Sequence, residues 1–287
     1  MRSEAKAEYE AGWGSVLDRA RSLKHSGDRN LARVLSLLEQ GGPTDGNKPL
    51  LERFGFRFCG ARVRGPQNWS YEAPLFELLL QNEILSQIDR DTERIVELGS
   101  GYGKNLFRVW LNGGPRDATY HGLEYTRRGR ECADFLASLE PGIHFRSQPF
   151  DYHNVNLQHL VGGAKTFVFT CYSIEQVPEI DSAVFSAIVE SPSVYRVMHI
   201  EPVGWQRQDT NDLDAEDSLL LHDMERSARD CHYNANLLPL LEDLARTGRI
   251  VIEQTKYNFL AHRPDLPGSI IVWHPSRALN AGRPAAF

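Results

Sequence analysis

The stretch Ile95-Val96-Glu97-Leu98-Gly99-Ser100-Gly101-Tyr102-Gly103 decides the fold. Residues 94–98 are a short apolar run that reads as a buried strand, the glycines make a turn, and residues 104–112 have helical apolar spacing. Glycine permits positive φ and lets a ligand come close to the backbone. The same strand, turn and helix serve dinucleotides, and two features separate the cases. The dinucleotide fingerprint is G-x-G-x-x-G, whereas here the third glycine comes one residue early and Lys104 holds its place. Glu97 ends the strand beside the turn, where a carboxylate would repel a pyrophosphate and suits the ammonium of a methionine moiety.

Outward from this turn, strands are expected at 94–98, 119–124, 143–146, 166–170 and 196–201, with helices between them at 104–112, 127–139, near 156–160 and at 180–190. A helix at 234–247 leads into strands at 249–254 and 269–273 with no helix between the two. The expected fold is α/β: a doubly wound, seven-stranded, mostly parallel sheet with an antiparallel edge strand and helices on both faces. Residues 1–70 read as an N-terminal helical cap. Tyr9, Trp13, Val16, Leu17, Ala20 and Leu23 recur at helical spacing, as do Leu31, Val34, Leu35 and Leu38, until Gly41-Gly42-Pro43 breaks the pattern. Residues 71–277 form the main domain, with an acidic insertion at 203–233, and 278–287 a loose tail.

Acids recur at the strand ends. Glu124 closes His121-Gly122-Leu123-Glu124, where a carboxylate can accept from both hydroxyls of a ribose. Asp151 follows the next strand in Phe150-Asp151-Tyr152, placed to accept from an adenine amine, with Phe150 or Tyr152 to stack on the ring. Taken with the glycines, this set resembles the class I S-adenosylmethionine-dependent methyltransferases, whose first motif is an acid followed by G-x-G-x-G. The resemblance spans residues 94–273 and leaves out the first 70. It implies S-adenosylmethionine as cofactor, with Glu97, Gly99, Ser100, Gly101 and Gly103 at the methionine and ribose, Glu124 at the ribose, and Asp151 and Tyr152 at the adenine. Asp151 lies a few residues past its strand, a departure from the family pattern.

The acceptor is expected outside the carboxyl ends of the fourth and fifth strands. Tyr172-Ser173-Ile174-Glu175 follows the fourth and His199-Ile200-Glu201-Pro202 the fifth. Glu175 and Glu201 suit a cationic acceptor, whereas His199 or His222 would serve a hydroxyl as base. The expected reaction is methylation of a small molecule, an amine or guanidino acceptor before a hydroxylated molecule or sugar. The Ser-Ile-Glu-Gln and His-Ile-Glu-Pro segments are similar to those of bacterial small-molecule methyltransferases from specialised pathways. Tyr71, Glu72, Tyr172, Ser173 and Asn234 are further substrate-side candidates. Each has a plainer reading: His199 as a bonded core histidine, Asn234 as a helix cap, and the acids from Asp209 to Glu225 as a solvated face. A metal at His199, Glu201, His222 and Asp223 is not expected, since alternation alone fixes no ligand geometry. A nicotinamide-dependent reductase and a non-catalytic scaffold are the competing functions.

Bulk properties narrow the field. The chain has 287 residues, 41% of them hydrophobic and 24% charged, ordinary for a globular protein with a sizeable core. A net charge of −6 with scattered basic residues argues against nucleic acid as partner. No run reaches membrane-spanning length and the N-terminus lacks a signal peptide's apolar stretch, so a cytoplasmic protein is expected. Cys59, Cys132, Cys171 and Cys231 lie far apart and are expected to be free thiols. The N-terminal helices are expected to cap the domain or to make a homodimer contact.

Overall fold

Alternation along the strands sorts the core into two layers. A computed structural model describes residues 3–39, 56–58, 61–63, 69–155, 157, 162–211, 213–260 and 266–276. Its strands are β1 (Phe56–Phe58), β2 (Ala61–Val63), β3 (Arg94–Leu98), β4 (Thr119–Glu124), β5 (His144–Pro149), β6 (Thr166–Cys171), β7 (Val194–Glu201), β8 (Ile250–Leu260) and β9 (Gly268–Pro275). The helices among these residues are α1 (Ser3–His25), α2 (Leu31–Leu38), α3 (Trp69–Ser86), α4 (Lys104–Leu111), α5 (Arg127–Ala137), α6 (Ser182–Glu190), α7 (Ala215–Cys231) and α8 (Leu237–Arg246). Ile95, Phe167, Phe169, Met198 and Ile200 join a core under α1 to α5. Val96, Leu98, Val168 and Val197 alternate with them and join Val184, Phe185, Ile188 and Leu241 of α6 and α8. Period-two side-chain alternation on a sheet covered on both faces has this consequence.

The sheet order is β2-β1-β8-β9-β7-β6-β3-β4-β5. β3 to β7 pair in parallel, and β9 runs antiparallel to both β7 and β8. The expected doubly wound, mostly parallel sheet is therefore present, with the antiparallel β8–β9 pair completing one side. Strand order reverses between β3 and β6, since β4 and β5 extend one way and β7 the other. A crevice opens at such a switch point, outside the carboxyl ends of the strands. Gly99 and Tyr172 sit there, one residue past β3 and β6.

The N-terminal 70 residues differ from the helical expectation in one respect. A hairpin, β1 with β2, adds to the β8 edge through the Phe58–Leu260 pair. Its alternation runs only three residues per strand, too short to stand out beside the helical spacing around it. The short helix expected near 156–160 lies almost wholly outside the described residues, as does the tail at 278–287. β8 continues to Leu260, beyond the expected end, through a register shift that places Asn258 at φ 49.

α1 lies on α5 and reaches the mouth of the crevice. Leu17 and Ala20 are fully buried against it, and Lys6 Nζ stands 4.2 Å from the Tyr125 ring centroid. Glu10 accepts from the backbone N–H groups of Arg127 and Arg128 at 2.8 Å each, closing two donors that an α5 N-terminus leaves open. Removing that cap in Glu10→Ala should cost about 1 kcal/mol and loosen α1. Hydrogen exchange should rise in α1 while β3 to β7 stay protected; unchanged exchange in α1 would contradict this docking role.

Candidate active site

The glycine turn is built by backbone geometry. Gly99, Gly101 and Gly103 have φ of 72°, 54° and 78°, a region that L side chains enter only under strain. Gly99 N–H donates to Leu123 O at 2.7 Å, which fixes the turn across the end of β4. Gly101 N–H donates to Glu124 Oε2 at 2.8 Å, and Thr126 donates to Oε1 from its N–H at 2.8 Å and its hydroxyl at 2.6 Å. A carboxylate offers about four lone-pair sites, so Glu124 keeps acceptor capacity on Oε2 toward the crevice.

Two adjoining chambers occupy the crevice. The smaller, about 80 Å³, is lined by Glu124, Tyr125, Phe150, Asp151, Tyr152, Ser173, Gln176 and Val177. The larger, about 470 Å³, is lined by Phe76, Leu80, Glu97, Ser100, Tyr102, Lys104, Asn105, Cys171, Glu175 and Leu266. Tyr9, Trp13, Gly99, Gly101 and Tyr172 border both. Asp151 Oδ1 accepts from His153 N–H at 2.9 Å. The hydroxyls of Tyr152 and Ser173 lie 2.9 Å apart and both reach Leu98 O, at 3.1 and 2.9 Å, so that one donates to the other while the second donates to Leu98 O, bracing the end of β3.

Glu97 is the unusual group. It is 1% exposed, and Asn105 Nδ2 donates to its Oε1 at 2.7 Å. Among the described residues its Oε2 and the Oδ1 of Asn105 have no hydrogen-bond partner, although both atoms are buried. Burial pushes the Glu97 pKa up to about 8, against the pull of the Asn105 bond and the Lys104 charge. Lys104 pairs with Glu77 at 2.6 Å. Burial opposes its charge, but Glu77, Tyr102 and Glu39 outweigh that and hold its pKa above the ordinary value. A buried acid with an unused oxygen beside an open chamber can accept a hydrogen bond from a cationic group.

No family model matches the sequence, and no curated protein sequence matches it. Solved structures do. A geranyl diphosphate methyltransferase in complex with GPP and sinefungin superposes with a TM-score of 0.51 at 12% identity, over 86% of this chain and 97% of that one. Magnesium protoporphyrin IX methyltransferase from Synechocystis PCC 6803 with bound SAH gives 0.51 at 12% identity, over 75% and 90%. The chain has the class I methyltransferase fold.

Within the methyltransferase fold the acceptor-side residues divide. Glu175, half-buried, stands in the wall of the larger chamber, where Gln176 Nε2 donates to its Oε1 at 2.7 Å. Tyr172 is there as well, with its hydroxyl on Leu260 O at 3.3 Å. Glu201 is not brought to the chamber. It is 0% exposed and accepts from the N–H groups of Ser173, Ile174 and Glu175 at 3.1–3.3 Å, holding the turn after β6. Burial pushes its pKa up to about 7, against those three bonds. His199 is equally buried, with Nε2 accepting from Trp273 Nε1 at 2.9 Å and Nδ1 against the Thr170 hydroxyl at 3.0 Å. Burial takes its pKa down to about 3. Met198 and Ile200 face the layer under α3 to α5, so His199 and Glu201 point to the opposite layer from Glu97.

His222 is exposed on α7 and borders neither chamber. Asn234 is 2% exposed. Its Nδ2 donates to Val177 O at 2.7 Å and its Oδ1 accepts from Leu237 N–H at 2.8 Å, so it caps α8 and ties it to the chain after β6. Tyr71 and Glu72 lie in α3, but their side chains fall outside the described residues. Tyr9 and Trp13 were expected only as part of a helical stripe, yet they roof both chambers. Their i, i+4 spacing put them on one helix face; where that helix docks is a tertiary fact.

Proposed function

We propose that this protein transfers a methyl group from S-adenosylmethionine to a small-molecule acceptor. The observation that carries the reading is the buried Glu97 carboxyl with its unbonded oxygen beside the glycine turn. Glu97 would take the donor's ammonium, and Glu124 a ribose hydroxyl. Asp151, in the wall of the smaller chamber, would accept from an adenine amine. Bound there, the donor supplies an activated methyl, whose transfer leaves its sulfur neutral with the electron pair. The residues bind, orient and exclude water, which is most of what this displacement requires.

The acceptor belongs in the larger chamber, against Phe76, Leu80, Tyr172 and Leu266, with Glu175 as its polar handle. A basic nitrogen is favoured over a hydroxyl because the Glu175 carboxylate in this wall can orient such a group and accept its charge. With Glu201 committed to the β6 turn, the handle is a single carboxylate, which suits one amine or guanidino group. A compact acceptor from a specialised pathway is consistent with the resemblance of the 173–176 and 199–202 segments. The stripe of α1 buries Leu17 and Ala20 within its own chain, so a homodimer is not needed to cover it. Among the described residues no helix is long and apolar enough to cross a membrane.

A thermal-shift panel separates the competing functions. S-adenosylhomocysteine at 100 times its Kd should stabilise the protein by about 2.7 kcal/mol, and NAD should not. Stabilisation by NAD alone would favour the reductase, and by neither ligand the scaffold.

A further inference from the structure

The two chambers meet at an aromatic border. Tyr9, Trp13 and Tyr172 line both of them, and none of the residues common to the two carries a charge. The carboxylates stand to either side, Glu97 in the larger chamber and Glu124 in the smaller. Ring centroids of Tyr9 and Trp13 are 6.1 Å apart, and Tyr102 continues the row 5.3 Å from Trp13. Trp13 rests directly on the glycine turn, since a Cβ on Gly101 would stand 2.9 Å from its ring. Tyr172 is held at φ 49 by its place after β6.

A methyl donor with its nucleoside against Glu124 and its amino-acid end against Glu97 carries its sulfur across this border, because the sulfur joins the two parts. We propose that Tyr9, Trp13 and Tyr172 form an aromatic cage for the donor's sulfonium, so that the N-terminal helix reads the donor's positive charge. This rests on the function proposed above. Ring faces attract cations through their quadrupole, the more so when water is excluded. Glu175 and Glu124 stand to the sides of the border, and the rings add charge compensation where the sulfur crosses it. Burial, with Glu175 nearby, raises the Tyr9 pKa, so its phenol stays neutral. After transfer the sulfur is uncharged and the cage loses its hold, which favours exchange of product for fresh donor.

The test is calorimetric titration of wild type, Trp13→Leu and Trp13→Phe with S-adenosylmethionine and S-adenosylhomocysteine separately. Trp13 is half-exposed, so neither change hollows the core. Trp13→Leu should weaken the charged donor about tenfold and the neutral product less than about threefold, while Trp13→Phe keeps the wild-type ratio within about threefold. Equal weakening of both ligands in Trp13→Leu, or of neither, overturns the cage and leaves the proposed function standing. A wild type that binds neither ligand overturns both. Should Trp13→Leu fail to fold, Tyr9→Leu gives the same readout.

Discussion

Gly101→Val should abolish binding of donor and product while the protein still folds. Gly101 sits at φ 54, where a β-branched residue is a genuine outlier. The strain is about 1–2 kcal/mol for the left-handed conformation, tolerable for a domain of this size. The effect on binding is far larger, because the new side chain projects 2.9 Å from the Trp13 ring, into the border between the chambers. It would also disturb the Gly101 N–H bond to Glu124, which helps fix that carboxylate in place. Affinity for S-adenosylhomocysteine should fall at least about 100-fold, roughly the 2.7 kcal/mol or more that a blocked subsite costs. A variant that melts near the wild-type temperature and binds normally would mean that the ligand lies elsewhere.

Glu97→Gln should have the second-largest effect, with a pH signature. The carboxyl has a pKa of about 8 in the folded protein against an ordinary 4.5. Between those values the folded protein keeps a proton that the unfolded chain has released, so stability falls as pH rises from about 4.5 to about 8 and then levels. Glu201, raised to about 7 by burial, adds a slope of the same sign over a narrower range. It does so in both proteins, so subtracting the Glu97→Gln profile from wild type isolates Glu97. Urea unfolding at a series of pH values should show the shallower dependence in the variant.

Ligand binding carries the opposite demand. An ammonium partner favours the ionised carboxylate, so binding at pH 7 should expel about one proton from Glu97. Titrations in two buffers of different ionisation enthalpy would count it. Glu97→Gln should release none and bind about 30- to 100-fold more weakly, the lower end of what removing one side of a buried charged pair costs. Identical proton release in wild type and variant would show that Glu97 does not meet the ligand.

Much of this was legible in the sequence because it is local or periodic. Residues 94–104 declare a strand, a turn and a helix start, and their acid is next to the glycines in the chain as well as in space. Alternation along β7 also assigns its side chains to opposite layers. Met198 and Ile200 belong to one core layer, so His199 and Glu201 had to face the other, away from Glu97. What stayed illegible depends on partners remote in sequence. His199 is satisfied by Trp273, 74 residues on, and Glu201 by the N–H groups of a turn 26–28 residues earlier. No local pattern announces that a carboxylate will be used up in this way. The docking of α1 is of the same kind: helical spacing shows that a stripe must be buried, while Glu10 on the α5 N-terminus decides that Tyr9 and Trp13 end over the crevice.

The most direct test of the central claim is a calorimetric titration of the folded, unmodified chain with S-adenosylhomocysteine at pH 7. The expected result is saturable heat at one site per chain, lost in Gly101→Val. A folded protein that gives no heat, and no competition by S-adenosylmethionine, would contradict the assignment of the glycine turn and Glu97 to a methyl donor.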